Sequence, residues 1–313
     1  MIIFDSLIKK VLNKSNSYIF YKNSYNNINK KYKKLMKRNK HLKNKTIDLE
    51  KENYRFSTDI DRLNHEINLL KSKKNDLLLY ANNINHELLL YAKESLYSNI
   101  FRDTISESTW LINKKFSLHY GAANYSFLYV LYRILDELRP INILEFGLGQ
   151  TTKLTTEYIN NTEYGKSLTV IDDDQEWIEN FSKKLNINDS ISINKVDIEE
   201  FTFDSSINRR YALKDLRKHL GGGVNKFDLI IIDGPVGFNQ SYPRSNILDI
   251  VDNLDDEFII IMDDHERDGE RNITQNLLKI FEEKGIKYHQ LMLFGIKEQL
   301  VIGTEKYKSL AWF

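Results

Sequence analysis

The chain has 313 residues, 41% of them hydrophobic, with 45 Lys and Arg against 44 Asp and Glu. That is enough apolar material for a large packed core, and it excludes a disordered chain. There is no cysteine, so disulfides, zinc-thiolate centres and a thiol nucleophile are excluded. No apolar run approaches the ~20 residues of a membrane span. The start, from Met1 to Lys10, lacks the charge order and cleavage site of a signal peptide, so a cytoplasmic protein is expected.

The near-zero net charge hides an asymmetry. Residues 1–110 hold 21 Lys and Arg against 12 Asp and Glu, and residues 111–313 hold 24 against 32. The first glycine is Gly121 and the first proline Pro140, so nothing before them strongly breaks a helix. Three segments are expected: a basic, amphipathic stretch over 1–20, a coiled coil over 21–100, and an α/β domain over 101–313.

In the first segment Ile2, Ile3, Phe4, Leu7, Ile8, Val11 and Leu12 fall on or near one helical face, followed by a basic run without an acidic residue until Asp48. Two readings stay open. One is peripheral attachment to the anionic inner membrane, where apolar insertion and lysine attraction add. The other is a solvated basic helix docked on its own protein. No base-reading module accompanies the basic residues, so no nucleic-acid partner is expected.

In the second segment every seventh residue from Tyr21 to Tyr91 is apolar or aromatic, including Leu35, Leu42, Leu49, Leu63, Leu70 and Leu77. A sustained seven-residue stripe predicts a coiled coil. With these at d, Ile60 and Ile67 fall at a, which favours a parallel dimer, while Asn39, Asn53 and Lys74 at a fix register. The chain itself is thus the expected partner.

From residue 124 the pattern changes to short apolar strands alternating with helices. Strands are predicted at 141–146, 167–171, 191–196, 227–232, 258–262, 287–294 and 299–303. Helices are predicted at 124–138, after Gly149, and at 175–185, 207–219, 245–254 and 268–284. Such alternation means a mostly parallel sheet covered on both faces. Glu145, Asp172, Asp197, Asp233 and Asp263 fall at the carboxyl ends of successive strands, where open α/β sheets bind ligands.

The turn Gly147-Leu148-Gly149 stands between a strand and a helix, with Asp172 placed after the next strand to accept from a ribose diol. Leu144-Glu145-Phe146-Gly147-Leu148-Gly149-Gln150-Thr151-Thr152 resembles the first motif of class I S-adenosylmethionine-dependent methyltransferases, and the match runs in order over about residues 120–305. The resemblance implies a Rossmann-like seven-stranded sheet of order 3-2-1-4-5-7-6 with strand 7 antiparallel. It implies S-adenosylmethionine as cofactor. Glu145, Gly147, Gly149 and Thr151 would lie at its methionine part, Asp172 at the ribose, Asp197 and Ile198 at the adenine, and Asp233 beside the transferring methyl. An acidic rim suits a sulfonium cation. The competing reading, a nucleotide-sugar reductase, lacks a tyrosine–lysine motif and would set a phosphate against Glu145.

One acid after strand four and two after strand five resemble the metal-dependent O-methyltransferases, including those acting on sugars. By that resemblance Asp233, Asp263 and Asp264 would hold Mg2+, whose hard oxygen ligands they supply. A sugar hydroxyl is a poor nucleophile and needs a base or a Lewis acid. His265 is the candidate base, with Asp233 and Asp263 as catalytic companions. Arg244, Arg267 and Arg271 either bind an anionic acceptor or pair with nearby acids. The loop 233–244, with Gly234, Pro235, Gly237, Pro243 and Arg244, loosely resembles methyltransferases of plant glucuronic acid and bacterial surface glycans. The expected activity is O-methylation of a sugar or glycan acceptor in surface polysaccharide (capsule or lipopolysaccharide) synthesis. The alternatives are a coiled-coil scaffold carrying a degenerate methyltransferase domain, and methylation of a small phosphorylated metabolite.

Overall fold

The computed structural model describes residues 2–117, 123–237 and 240–312, with their side chains except those of residues 2, 3, 222, 311 and 312. Phe238 and Asn239 of the expected acceptor loop, and the side chains of Ile2 and Ile3, lie outside the described residues. The chain divides into two units, Met1–Asn83 and Ile84–Phe313.

Helix α1 runs without interruption over Ile2–Ser106, as a segment free of glycine and proline allows. In the first unit its seven-residue stripe is exposed: Leu35, Leu42, Leu49, Leu63, Leu70 and Leu77 all stand open to solvent. No helix among the described residues is long and apolar enough to cross a membrane.

The second unit begins inside α1. Phe101 and Ile105 are buried in a core shared with Trp110, Leu111, Phe127 and Leu131. Glu94 accepts from Asn124 Nδ2 at 2.9 Å and from the Ile296 amide at 3.3 Å. Burial of Phe101 and Ile105 explains why the last turns of α1 belong with the α/β body.

The sheet contains β1 (Asn142–Phe146), β2 (Ser167–Asp172), β3 (Ile191–Lys195), β6 (Phe227–Ile232), β7 (Leu254–Met262), β8 (Tyr288–Phe294) and β9 (Glu298–Thr304). Between β3 and β6 the chain makes a separate hairpin, β4 (Ile198–Phe203) and β5 (Ser206–Tyr211). The sheet order is β3-β2-β1-β6-β7-β9-β8. With the hairpin set aside this is the expected 3-2-1-4-5-7-6. β9 runs antiparallel to both neighbours, and β1, β2, β3, β6 and β7 are parallel.

Alternation along the strands sorts the core into two layers. Ile143, Leu168, Val170, Leu229, Ile231, Ile259 and Ile261 face α2 (Tyr125–Arg133) and α3 (Gln150–Asn161). Leu144, Phe146, Ile230, Ile232, Ile260 and Met262 face the opposite way, toward Ile273, Leu277 and Phe281 of α7 (Asp268–Lys284).

Three expected helices change. The helix expected at 124–138 ends as α2 at Arg133 and widens into a π turn over Ile134–Leu138. The helix expected at 207–219 is β5 followed by the short α5 (Leu213–His219). Its first half is held extended by pairing with β4, with Glu199 opposite Arg210 and their side chains 2.8 Å apart. The helix expected at 245–254 reduces to α6 (Asn246–Asp249) and a 3-10 turn, because Asn253 Nδ2 donates to the Leu220 and Asn225 carbonyls and carries the chain into β7.

Candidate active site

The parallel strands deliver their carboxyl ends to one edge, and the first turn there is the glycine turn between β1 and α3. Gly147 has φ +95°, and a Cβ on it would lie 3.1 Å from the Gly234 amide nitrogen, so the turns after β1 and β6 rest back to back. A Cβ on Gly149 would meet nothing within 4 Å. Asp172 fastens the turn to β2: its carboxylate accepts from the Leu148 amide at 2.8 Å and from the Asp174 amide at 2.9 Å. Trp177, on α4 (Gln175–Ser182), donates its indole N–H to the Leu148 carbonyl at 2.7 Å.

Under this turn lies a cavity of about 560 Å3, walled among others by Gly147, Gly149, Asp172, Asp173, Trp177 and Asp233. Burial pushes the Asp172 and Asp173 carboxyls above the ordinary range, while amide hydrogen bonds oppose this at Asp172. Open space over Gly149, carboxylates at one end and an aromatic ring beside them fit an adenosine-bearing cation. Four of the expected cofactor residues meet here: Gly147, Gly149, Asp172 and Asp233.

The other four do not. Glu145 is fully buried beneath α3, and its carboxyl accepts from the hydroxyls of Thr151 at 2.5 Å, Thr152 at 2.9 Å and Thr155 at 3.0 Å. It braces the turn from behind instead of lining the cavity, and Thr151 is spent on the same task. Burial, partly offset by the three hydroxyls, raises the Glu145 pKa to about 7. Asp197 is exposed and pairs with Lys195, and Ile198 opens the separate hairpin. Neither reaches the cavity wall, where Asp173, Asp174 and Trp177 stand instead.

Beyond Asp233 the site becomes a network of buried charges. Asp233, Asp263 and Asp264 each offer an oxygen within 4.8 Å of the others. Lys297 Nζ lies 2.9 Å from Asp263 and 3.2 Å from Asp264. Arg244, only 3% exposed, lies 2.6 Å from Asp264, 3.5 Å from Asp233 and 3.9 Å from Glu270, and donates to the Asp263 carbonyl. Arg267 reaches Asp264 at 2.9 Å, and Gln299 Nε2 donates to Asp263 at 2.8 Å. Arg244 and Asp264 both hold positive φ, 55° and 60°. Such backbone costs roughly 1–3 kcal/mol per residue and persists where surroundings enforce it.

The three expected metal ligands do come together, but among cations, and of the two readings left open for the arginines the structure shows pairing with acids. Both oxygens of Asp263 and Oδ2 of Asp264 accept hydrogen bonds, and Asp264 Oδ1, which has no hydrogen-bond partner among the described residues, lies 3.2 Å from Lys297 Nζ. The expected Mg2+ ligands therefore do not fit the ion while Lys297 keeps its position. Arg244 is an internal partner of acids, not a handle for an anionic acceptor. Arg267 also pairs with acids, as does Arg271, which lies 2.6 Å from Asp268.

His265 is also corrected. The residue is buried, lies outside the cavity wall, and has no hydrogen-bond partner at either ring nitrogen among the described residues. Burial, then Arg271, lowers its pKa. Asp233 is the acid that reaches the cavity. Burial and the neighbouring Asp263 raise its pKa well above the carboxylate range, against the pull of Arg244 and Lys297. Lys297 and Arg244 outweigh burial at Asp263 and hold its pKa low. Lys297 and Gln299 escape sequence reasoning, because a lysine in a hairpin turn and a glutamine in a strand carry no signal of their own.

No family model matches the chain, and no curated protein matches it. Among solved structures, an SAH-bound methyltransferase of Podospora anserina is 14% identical, over 67% of this chain and 87% of its own, with a TM-score of 0.41. An O-methyltransferase of Bacillus cereus in complex with SAH is 13% identical, over 68% and 91%, with a TM-score of 0.40. Human methyltransferase-like protein 13, also with SAH, is 16% identical, over 58% and 85%, with a TM-score of 0.40. On its own strand order and antiparallel last hairpin, the α/β unit has the class I S-adenosylmethionine-dependent methyltransferase fold.

Proposed function

We propose that this protein transfers a methyl group from S-adenosylmethionine to a hydroxyl oxygen, with a sugar or glycan as acceptor. The observation that carries the reading is a single cavity walled by Gly147, Gly149, Asp172 and Asp233, with open space over Gly149. When bound, the cofactor supplies an electrophilic methyl on a sulfonium. Asp172 and Asp173 would accept from its hydroxyls, and Trp177 would offer its base an aromatic wall. Asp233, the carboxyl of the buried trio that lines the cavity, would in its ionised form accept the proton of the acceptor hydroxyl. Holding the acceptor oxygen in line supplies much of the remaining acceleration.

A second polar cavity, which shares no lining residue with the first, offers groups that suit a sugar. It is lined by Phe203 and Tyr242, whose rings meet edge-on at 4.7 Å, and by the amides of Asn272, Gln275 and Asn276. Aromatic faces and amides are the groups that recognise hydroxylated rings. Within the same reading α1 joins two copies as a parallel coiled coil, and its basic first turns rest on an anionic membrane surface. A surface-polysaccharide role is tested by mass spectrometry of glycans from cells with and without the gene. Loss of one O-methyl substituent is expected, and an unchanged methylation pattern rules the glycan out. The alternative, a scaffold with a degenerate domain, predicts no binding of cofactor at all.

A further inference from the structure

We propose that Lys297 occupies, as part of the polypeptide, the place a divalent cation would take among Asp233, Asp263 and Asp264, so that this site operates without a metal ion. The inference deepens the methyl-transfer reading, because it concerns the acceptor end of the same site.

Three carboxylates with oxygens inside 4.8 Å repel one another strongly when two of them are buried, and such a group needs a counter-cation. The cations here are covalent: Arg244 and Arg267 pair with Asp264 on one side, and Lys297 stands between Asp263 and Asp264. Lys297 Nζ donates to Asp263 at 2.9 Å and lies 3.2 Å from Asp264 Oδ1 as an ion pair, so its charge sits between the two carboxylates. Mg2+ requires oxygens at about 2.1 Å in octahedral array and would have to evict it. The eviction is opposed by the way the lysine is delivered. Its turn is closed by the Gly295 amide donating to the Lys297 carbonyl at 3.1 Å. The turn is fastened to the loop after β7 by two bonds of 2.9 Å: the Glu298 amide to Glu266, and the His265 amide to the Glu298 carbonyl. Gln299 takes the other oxygen of Asp263. On the far side Arg244 and Asp264 keep their positive-φ backbones to hold a 2.6 Å pair.

Asp233 alone of the three has no donor closer than Arg244 at 3.5 Å among the described residues, and it faces the cavity. Lys297 is thus a positioning residue. It fixes Asp263 and Asp264 as an ion-paired floor and leaves Asp233 to meet the acceptor.

The test is a Mn2+ titration of the full chain followed by electron paramagnetic resonance, with neither cofactor nor acceptor present. Wild type is expected to leave millimolar Mn2+ free. Lys297→Ala is expected to gain one Mn2+ site at least about tenfold tighter than any in wild type, as close carboxylates relieved of the ammonium between Asp263 and Asp264 should. Lys297→Arg is expected to behave as wild type. One Mn2+ bound by wild type and lost in Asp263→Asn would overturn the proposal, as would a folded Lys297→Ala that binds none. Should the alanine variant not fold, Lys297→Met replaces it, and the wild-type titration still decides. Because the readout needs no cofactor, failure here is distinct from failure of the methyl-transfer reading, which shows as absence of cofactor binding.

Discussion

Glu145 sits at the end of β1, where its backbone suggests a ligand contact, yet its side chain turns under α3 into a ring of threonine hydroxyls. Burial raises its pKa from 4.5 to about 7. The folded state therefore holds a proton that the unfolded state has released between those values, and stability falls as pH rises through that window. The shift corresponds to about 3 kcal/mol. Glu145→Gln removes the ionisation, so urea unfolding should show its advantage over wild type growing by about that amount from pH 4 to pH 8. Parallel pH profiles would show that the carboxyl is not shielded as described. The glycines give a second contrast. Gly147→Ala meets both a φ of +95° and a Cβ 3.1 Å from the Gly234 nitrogen, and should cost roughly 1–3 kcal/mol in thermal unfolding. Gly149→Ala points into open space and should leave stability unchanged. Equal effects at the two positions would contradict the geometry of the turn. In the sequence, acids at strand ends look alike. Asp172 and Glu145 separate only when Thr151, Thr152 and Thr155 are recognised as hydroxyls placed to receive a buried carboxyl.

Elements were legible where burial is complete. Leu229-Ile230-Ile231-Ile232 is apolar on both faces, so it reads as an inner strand and is one. β5 was not legible. Ser206–Tyr211 mixes Arg209 and Arg210 with apolar residues at a spacing that also suits a helix. Its turn, Asp204-Ser205, takes positive φ at both positions without a glycine to announce it. α1 shows the reverse case: its continuity follows from missing breakers, while its partner is a matter of the exposed stripe. An apolar seam this long left in water favours association. Sedimentation of the full chain should therefore give a dimer, and Leu63→Lys with Leu70→Lys should shift it to monomer at the same concentration. A wild-type monomer at micromolar concentration would remove the coiled coil.

For the whole molecule, the strand order, the glycine turn and the acidic edge agree on one architecture, while the charged floor built by Lys297, Arg244 and Gln299 emerges only in three dimensions. It joins β9, the turn before it and the loop after β6, segments far apart in the chain. What this edge binds is decided by calorimetric titration with S-adenosylhomocysteine, in wild type and in Gly149→Phe, whose ring would fill the space over the turn. Wild type should bind one equivalent with a dissociation constant in the micromolar range, roughly −8 kcal/mol, and the variant should fold but bind none. No heat from folded wild type, or undiminished binding by the variant, would show that the cavity under Gly147 and Gly149 is not a cofactor site.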